Sequence, residues 1–496
     1  MNTADYLLEL AQDQKVAIIA DKTSYTYADL KRASARVAGE LTAAGVAPGD
    51  RVGLVGSNSF FWAATYLAVL KLSVVALPFS ITLTPPEVQL MEQAVPCKAM
   101  CGDRRALRRY GAALRPDLPV ISDEALSQPG PSAWPVTPMS EAEAAHTDAA
   151  LMFTSGTTAR PRAVRVTHRN IQANTNSIIQ YLELTSADCM LAILQFYYCF
   201  GTSLLHTHLR VGGSLALCNT FAYPETALDL MEATNSTGFA GVPSTYQTLL
   251  RNSSFPKRRL PLRKLQQAGG KLPTVFIRAL VEAVPEAKVY VMYGQTEGTA
   301  RLSYLPPELL PTKLGSIGQG IPGVELRVLG EDGQPVKPGE VGEIVARGDN
   351  VSPGYLNEPE ATAAKFRDGC LYTGDLATVD EDGFIFVVDR KDDFIKSYGF
   401  RVSSQQVEAG VLEVSDVVEA AAVGAPDPVR GEAIIVYISL QNGSTLTPEA
   451  IIEHCRSRLA RHMVPKEIVV LKNLPLSAQG KVLKSELRKL AQQAAS

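Results

Sequence analysis

The chain changes hydrophobic period several times within its first 80 residues, and that alternation restricts it to sheets covered by helices. Between residues 26 and 48 apolar side chains recur at helical spacing (Leu30, Ala33, Val37, Ala38 and Leu41), with Gly45 as a stop signal. Arg51 to Val55 then reads as a strand, residues 60 to 72 as an apolar helix, and Val74-Val75-Ala76-Leu77 as a further strand. Strands alternating with helices predict an α/β fold. Between Ser127 and Ala150 four prolines and weak periodicity predict a surface connection. Alternation resumes to about residue 300. From Gly315 to Ile344 short apolar runs broken by Pro322-Gly323, Asp332-Gly333 and Pro338-Gly339 predict β-hairpins.

Four charged residues, Asp389-Arg390-Lys391-Asp392, follow the apolar run Phe384 to Val388 and precede a new α/β region. They divide the chain into a large domain, 1–388, a hinge, 389–392, and a small C-terminal domain, 393–496, closed by a helix from Ser485 to Ala495. The 48 basic and 51 acidic side chains give a net charge of -3, which offers nothing to nucleic acid or an anionic membrane surface. No run of about 18 apolar residues predicts a membrane span, and the first residues lack the basic start and apolar core of a signal peptide. Seven scattered cysteines and six scattered histidines lack metal-site spacing, and reduced thiols point to a cytoplasmic setting.

The most informative local feature runs from Leu151 to Ala163. An apolar strand pattern empties into Thr154-Ser155-Gly156-Thr157-Thr158, followed by Ala159-Arg160-Pro161-Arg162. Hydroxyls, a glycine and guanidinium groups suit a grip on polyphosphate, although a solvated turn has a similar composition. Further along, Tyr293-Gly294-Gln295-Thr296-Glu297 follows a strand pattern, Tyr372-Thr373-Gly374-Asp375 places a carboxylate on a turn, and Gly480-Lys481 offers a cation.

In this order the segments resemble the adenylate-forming superfamily of acyl-CoA synthetases, peptide-synthetase adenylation domains and firefly-type luciferases. The resemblance covers nearly the whole chain, from Tyr25-Thr26-Tyr27 to Gly480-Lys481. It implies a large N-terminal α/β domain of several subdomains with a β-rich part, and a small mobile α+β domain turning about Asp392. It implies ATP and Mg²⁺, with Thr154, Ser155, Gly156, Thr157, Thr158 and Arg162 on the phosphates. Tyr293 would stack on adenine beside Gly269, Gly270 and Gly294, while Asp375 and Arg390 would hold the ribose. Thr296 would touch the α-phosphate, Glu297 would ligate the metal, and Lys481 would bridge the substrate carboxylate and the α-phosphate. For the second step the face carrying Lys396 would replace Lys481, with Gly399 beside the pantetheine arm, although a turn alone explains a glycine there.

This chain departs from the family's T-S-G-T-T-G-x-P-K-G loop at Ala159, Arg162 and Ala163. Arg162 keeps the charge, whereas Ala159 puts ATP handling in question if its position needs positive φ. The segment 195–201 has no acidic residue, so an α-ammonium would go unpaired there. That disfavours a freestanding amino-acid adenylation enzyme, and a catalytically silent nucleotide- or carrier-binding scaffold is encouraged only by Ala159. Phe196, Tyr197, Tyr198 and Phe200, with Gly241, Gly270 and Gly294, predict a pocket for an aromatic or short to medium aliphatic acid, Gly241 leaving room for length. The thiol acceptor is coenzyme A or the phosphopantetheine of a separate acyl carrier protein.

Overall fold

A computed structural model describes residues 1–127, 134, 138–154, 162–390, 393–477 and 480–495. The expectations for Ser155, Gly156, Thr157, Thr158, Ala159, Arg160 and Asp392 lie outside the described residues.

Four sheets form among the described residues. In the first, Val120–Ser122, Ala99–Gly102, Arg51–Val55, Val75–Phe79 and Asp148–Thr154 run parallel, and Arg162–Thr167 closes the edge antiparallel. In the second, the parallel centre runs Lys288–Tyr293, Lys264–Gln267, Gly238–Gly241, Cys189–Ala192, Ser214–Leu217 and Val16–Ala20. The third is antiparallel and holds Val324–Leu329, Gly342–Gly348, Cys370–Val379 and Ile385–Arg390. The fourth uses only later residues, Ile395–Ser397, Phe400–Val402, Val417–Asp427, Gly431–Leu440 and Glu467–Val470.

The helix Phe60–Lys71 shows why the first two sheets pack as they do. It is buried on every side, as its unbroken apolar sequence requires, and Ser59 caps it by accepting from Trp62 N–H at 3.0 Å. Its core cluster joins Val52 and Ala76 of one sheet to Ile18 and Leu215 of the other. Its one charge, Lys71, is 3% exposed and donates to both oxygens of Asp5 at 2.5 and 2.7 Å, so the buried ammonium is matched.

Two expectations are corrected. The stretch after Ser127 contains a helix, Glu141–His146, started by a capping box of Ser140 and Glu143. The strand before the expected hinge continues through Arg390, so Asp389 and Arg390 are sheet residues. Asp389 is fully buried and accepts from Ser404 N–H at 2.8 Å and from the hydroxyls of Ser403 and Ser404 at 3.1 and 3.0 Å. It ties the third sheet to the helix Ser404–Leu412.

The C-terminal helix Lys484–Ala495 is anchored through Lys484, whose Nζ lies 2.7 Å from Glu408 and 2.6 Å from Ser404 Oγ. Burial opposes the ammonium, but Glu408 and then Asp393 outweigh it and raise the lysine's pKa. Lys484→Met should therefore lower unfolding free energy by about 2–3 kcal/mol in urea titrations, because it strands the Glu408 carboxylate. Adding Glu408→Leu should recover most of that loss, and an undiminished loss in the double variant would show that the pairing is not its cause.

Candidate active site

The candidate residues converge from loops at the ends of three sheets. Thr154 ends its strand opposite Arg162, the first residue of the returning strand. Arg162 is met by Glu358, Nε to Oε2 at 3.0 Å, and its guanidinium lies over the Tyr355 ring at 5.4 Å. The Tyr355 hydroxyl donates to Glu297 Oε1 at 2.7 Å, and Lys365 Nζ is 3.3 Å from the same oxygen. Arg162, Tyr355, Glu297 and Lys365 thus form one polar chain from the hairpin to the turn Thr296–Gly298. Burial, then Glu297, pushes the Tyr355 pKa upward, so the phenol remains a proton donor.

Tyr293 ends the strand Lys288–Tyr293 and donates to Asp375 Oδ2 at 2.6 Å. Asp375 follows Gly374, which takes φ +82° inside the strand Cys370–Val379 and not on the turn expected from sequence, and it lies opposite Arg390 in register, with Nε to Oδ1 at 3.2 Å. Asp375, more than burial, sets the Arg390 pKa, which is raised. The sheet register itself therefore places the carboxylate and guanidinium side by side.

Lys481 reaches this group from the other end of the chain. Ser244 Oγ donates to the Gly480 carbonyl at 2.8 Å, docking the turn onto the start of the helix Pro243–Asn252. Gly480 has φ +73°, and a Cβ there would lie 3.0 Å from Val242, so no other residue fits easily. Lys481 Cε lies 3.7 Å from where a Gly269 Cβ would stand. Lys481 is exposed to solvent on one side, and desolvation by the protein packed around it, then Arg390, lowers its pKa; Cys199, Asp375 and Glu297 oppose that shift.

The expected second-step face lies elsewhere. Lys396, Tyr398, Gly399 and Phe400 are exposed on the hairpin of Ile395–Ser397 and Phe400–Val402. Tyr398 at φ +52° and Gly399 at φ +80° form a two-residue turn, which accounts for the glycine, while no atom lies within 4 Å of its would-be Cβ.

The aromatic segment divides. Phe196 is fully buried against Trp62, ring centroids 5.5 Å apart, and its N–H donates to Asn58 Oδ1 at 2.8 Å; it is core and not pocket lining. Tyr197 is buried beside Tyr198, whose hydroxyl donates to Ser80 Oγ at 3.3 Å. Tyr198 and Phe200 are half-buried. Gly241 does not leave room for substrate length, since a Cβ there would lie 2.9 Å from Thr245 Cγ2 and 3.1 Å from the Tyr246 ring. A Cβ on Gly270 would lie 3.1 Å from the Pro243 ring, and one on Gly294 only 2.0 Å from the Ala300 carbonyl, so Gly294 serves close backbone packing. Tyr355, Lys365 and the buried Arg301 were not anticipated from sequence. Gly354-Tyr355 and an arginine within Thr299-Ala300-Arg301-Leu302 were the available signals.

The model of the AMP-binding enzyme family matches residues 10–356, and that of the AMP-binding enzyme C-terminal domain matches 406–481. The chain belongs to the AMP-binding enzymes. Feruloyl-CoA synthase of an Amycolatopsis species is 32% identical over 490 residues, covering 94% of each chain. The 2-succinylbenzoate–CoA ligase of Geobacillus kaustophilus is 31% identical over 490 residues, covering 96% of this chain and 95% of that protein. The resemblance read from the motifs therefore holds, and this AMP-binding enzyme is an AMP-forming acyl- or aryl-CoA ligase that uses ATP and coenzyme A. Of solved structures, ATP-bound MatB from Rhodopseudomonas palustris superposes with TM-score 0.90 at 27% identity, covering 100% of this chain and 99% of that one. Apo MatB, with equal identity and coverage, gives 0.79, so this chain is arranged more like the ATP-bound form.

A lysine of lowered pKa that opens to a cleft holds more free amine near pH 8 than an ordinary surface lysine. Lys481 should accordingly acylate several-fold faster than exposed Lys22 when an amine-reactive ester is applied and peptides are mapped by mass spectrometry. Equal rates would contradict the environment described for it.

Proposed function

We propose that this enzyme activates an aromatic or short to medium-chain carboxylic acid as its acyl-adenylate, with Lys481 as the cation of that step, and then passes the acyl group to coenzyme A. The observation that carries this reading is the Asp375–Arg390 pair, 3.2 Å apart, close enough together with Glu297 to act electrostatically on Lys481.

The chemistry explains why the cation is needed. An oxygen of the acid attacks the α-phosphorus of ATP, and the bond from that phosphorus to pyrophosphate breaks. Two anions must meet, and at about 4 Å their repulsion is about 4 kcal/mol at an effective dielectric of about 20. Lys481 offsets it by lying between the carboxylate and the α-phosphate, at little cost in reorganisation because the Gly480 turn is already docked. Asp375 accepts from the ribose hydroxyls with Arg390 beside it, Tyr293 presents its ring to adenine, and Thr296 faces the α-phosphate. The loop Thr154 to Arg162 holds the phosphates that leave.

Glu297 offers a hard oxygen donor suited to Mg²⁺, and its second oxygen, Oε2, is not engaged by Tyr355 or Lys365. Among the described residues no group of three or more His, Cys, Asp or Glu could hold the ion, so phosphate oxygens and water would complete its shell. When bound, Mg²⁺ neutralises phosphate charge.

In the second step the coenzyme A sulfur attacks the acyl carbon and AMP leaves. We assign this step to the hairpin with Lys396 and Gly399, which a rotation of the small domain about Asp392 would bring in as Lys481 withdraws.

Lys481→Ala should reduce acid-dependent pyrophosphate release at least 100-fold, while a supplied acyl-adenylate is still converted to thioester at near the wild-type rate. Adenylation at the wild-type rate in this variant would remove Lys481 from the mechanism. A pantetheinylated carrier protein, offered in parallel with coenzyme A, tests the alternative acceptor.

A further inference from the structure

Arg301 is sealed within the protein with no anion beside it. It is 1% exposed, and neither Nε nor Nη2 has a hydrogen-bond partner. Burial lowers its pKa, opposed by the Tyr181 hydroxyl, which hydrogen-bonds the guanidinium, and by the Cys199 thiol. It forms no ion pair among the described residues, and a guanidinium stays protonated, so the two donors are left unmet at a real cost.

Its direction is not incidental. Its carbonyl accepts from Asn174 Nδ2 and from Asn350 Nδ2, each at 2.9 Å, which pins the backbone. Its Cα packs 2.8 Å from where a Gly294 Cβ would stand. The guanidinium carbon lies 3.8 Å over the Phe200 ring, and the adjacent Cys199 Sγ is 3.5 Å from Thr296 Oγ1. Half-buried Phe200 thus covers the guanidinium, and it belongs to the segment expected from sequence to line the acid pocket. The two unmet donors share one edge of the guanidinium plane, and that spacing matches the two oxygens of a carboxylate.

We propose that Arg301 is a specificity-determining residue that receives a second carboxylate at the far end of the acid, Phe200 turning aside to uncover it. The enzyme thereby prefers dicarboxylic acids. This rests on the reading of the cleft as an acid-activating site. With one carboxylate at Lys481 and the other at Arg301, a dicarboxylate satisfies both cations, whereas a monocarboxylate leaves Nε and Nη2 of Arg301 unmet.

The test is acid-dependent pyrophosphate release with three matched pairs: butyrate and succinate, hexanoate and adipate, benzoate and 4-carboxybenzoate. In at least one pair the wild type should favour the dicarboxylate in kcat/KM by tenfold or more, and Arg301→Met should bring that ratio to one or below. Both acids of a pair are assayed on one preparation, so a loss of folded enzyme cancels from the ratio. Should Arg301→Met not fold, Arg301→Lys, which keeps the charge but loses the paired donors, must lower the ratio at least threefold. A wild type favouring the monocarboxylate in every pair, or a ratio unchanged by substitution, overturns the proposal while leaving the acid-activating reading intact. Pyrophosphate release with no acid at all would bring down that reading and this proposal with it.

Discussion

The candidate site depends on how the chain is held on either side of Lys481. Burial and Arg390 both lower its pKa, and it forms no ion pair among the described residues. Its position is maintained by neighbours that hold the chain on either side of it. Ser244 fixes the Gly480 carbonyl, the positive φ of Gly480 turns the chain against Val242, and Lys484 locks the following helix to Glu408 and Ser404. Asp389 joins the same Ser404 to the third sheet, so the lysine is referenced to the strand that also carries Arg390. Interactions far from the cleft thereby set the distance between the ammonium and the Asp375–Arg390 pair.

How much of this could be read from the sequence depended on how local each cause is. The helix Tyr27–Ala43 and the strand Arg51–Val55 were legible because their periods are clean, and Thr26 with Asp29 closes a capping box at the helix start. The helix Glu141–His146 was missed because its six residues sit beside a proline-rich stretch that masks a valid cap. Asp389 and Arg390 read as a connection because charge runs are usually exposed, and nothing local shows that Ser403 and Ser404 will bury an aspartate.

At the site, motif order picked out Tyr293, Glu297, Asp375, Arg390 and Lys481 as candidates, and the fold puts Tyr293, Asp375 and Arg390 in contact, with Glu297, Asp375 and Arg390 near enough to act electrostatically on Lys481. It failed where packing at long range decides. Phe196 looks like its aromatic neighbours until Trp62 is placed against it, and Gly241 looks like a vacancy until Thr245 and Tyr246 are seen to fill it. Tyr355 and Lys365 meet Glu297 only through the tertiary fold, so their part in holding that carboxylate has no signature in sequence spacing.

The charges around the cleft do not balance, and the imbalance carries information about its occupant. Glu297 is already met by Lys365 and Tyr355, and Asp375 by Arg390 and Tyr293. Among the described residues Lys481 and Arg301 form no ion pair with a carboxylate, and Arg301 lies buried against Phe200. A protein core rarely keeps an unmatched cation, because the desolvation cost is not returned within the folded chain. Activation of a carboxylic acid with ATP accounts for the first, since carboxylate and α-phosphate both arrive there as anions. It does not account for the second. On the dicarboxylate proposal a second anionic group on the acid would supply what the folded chain lacks, turning a cost in the free enzyme into discrimination between acids.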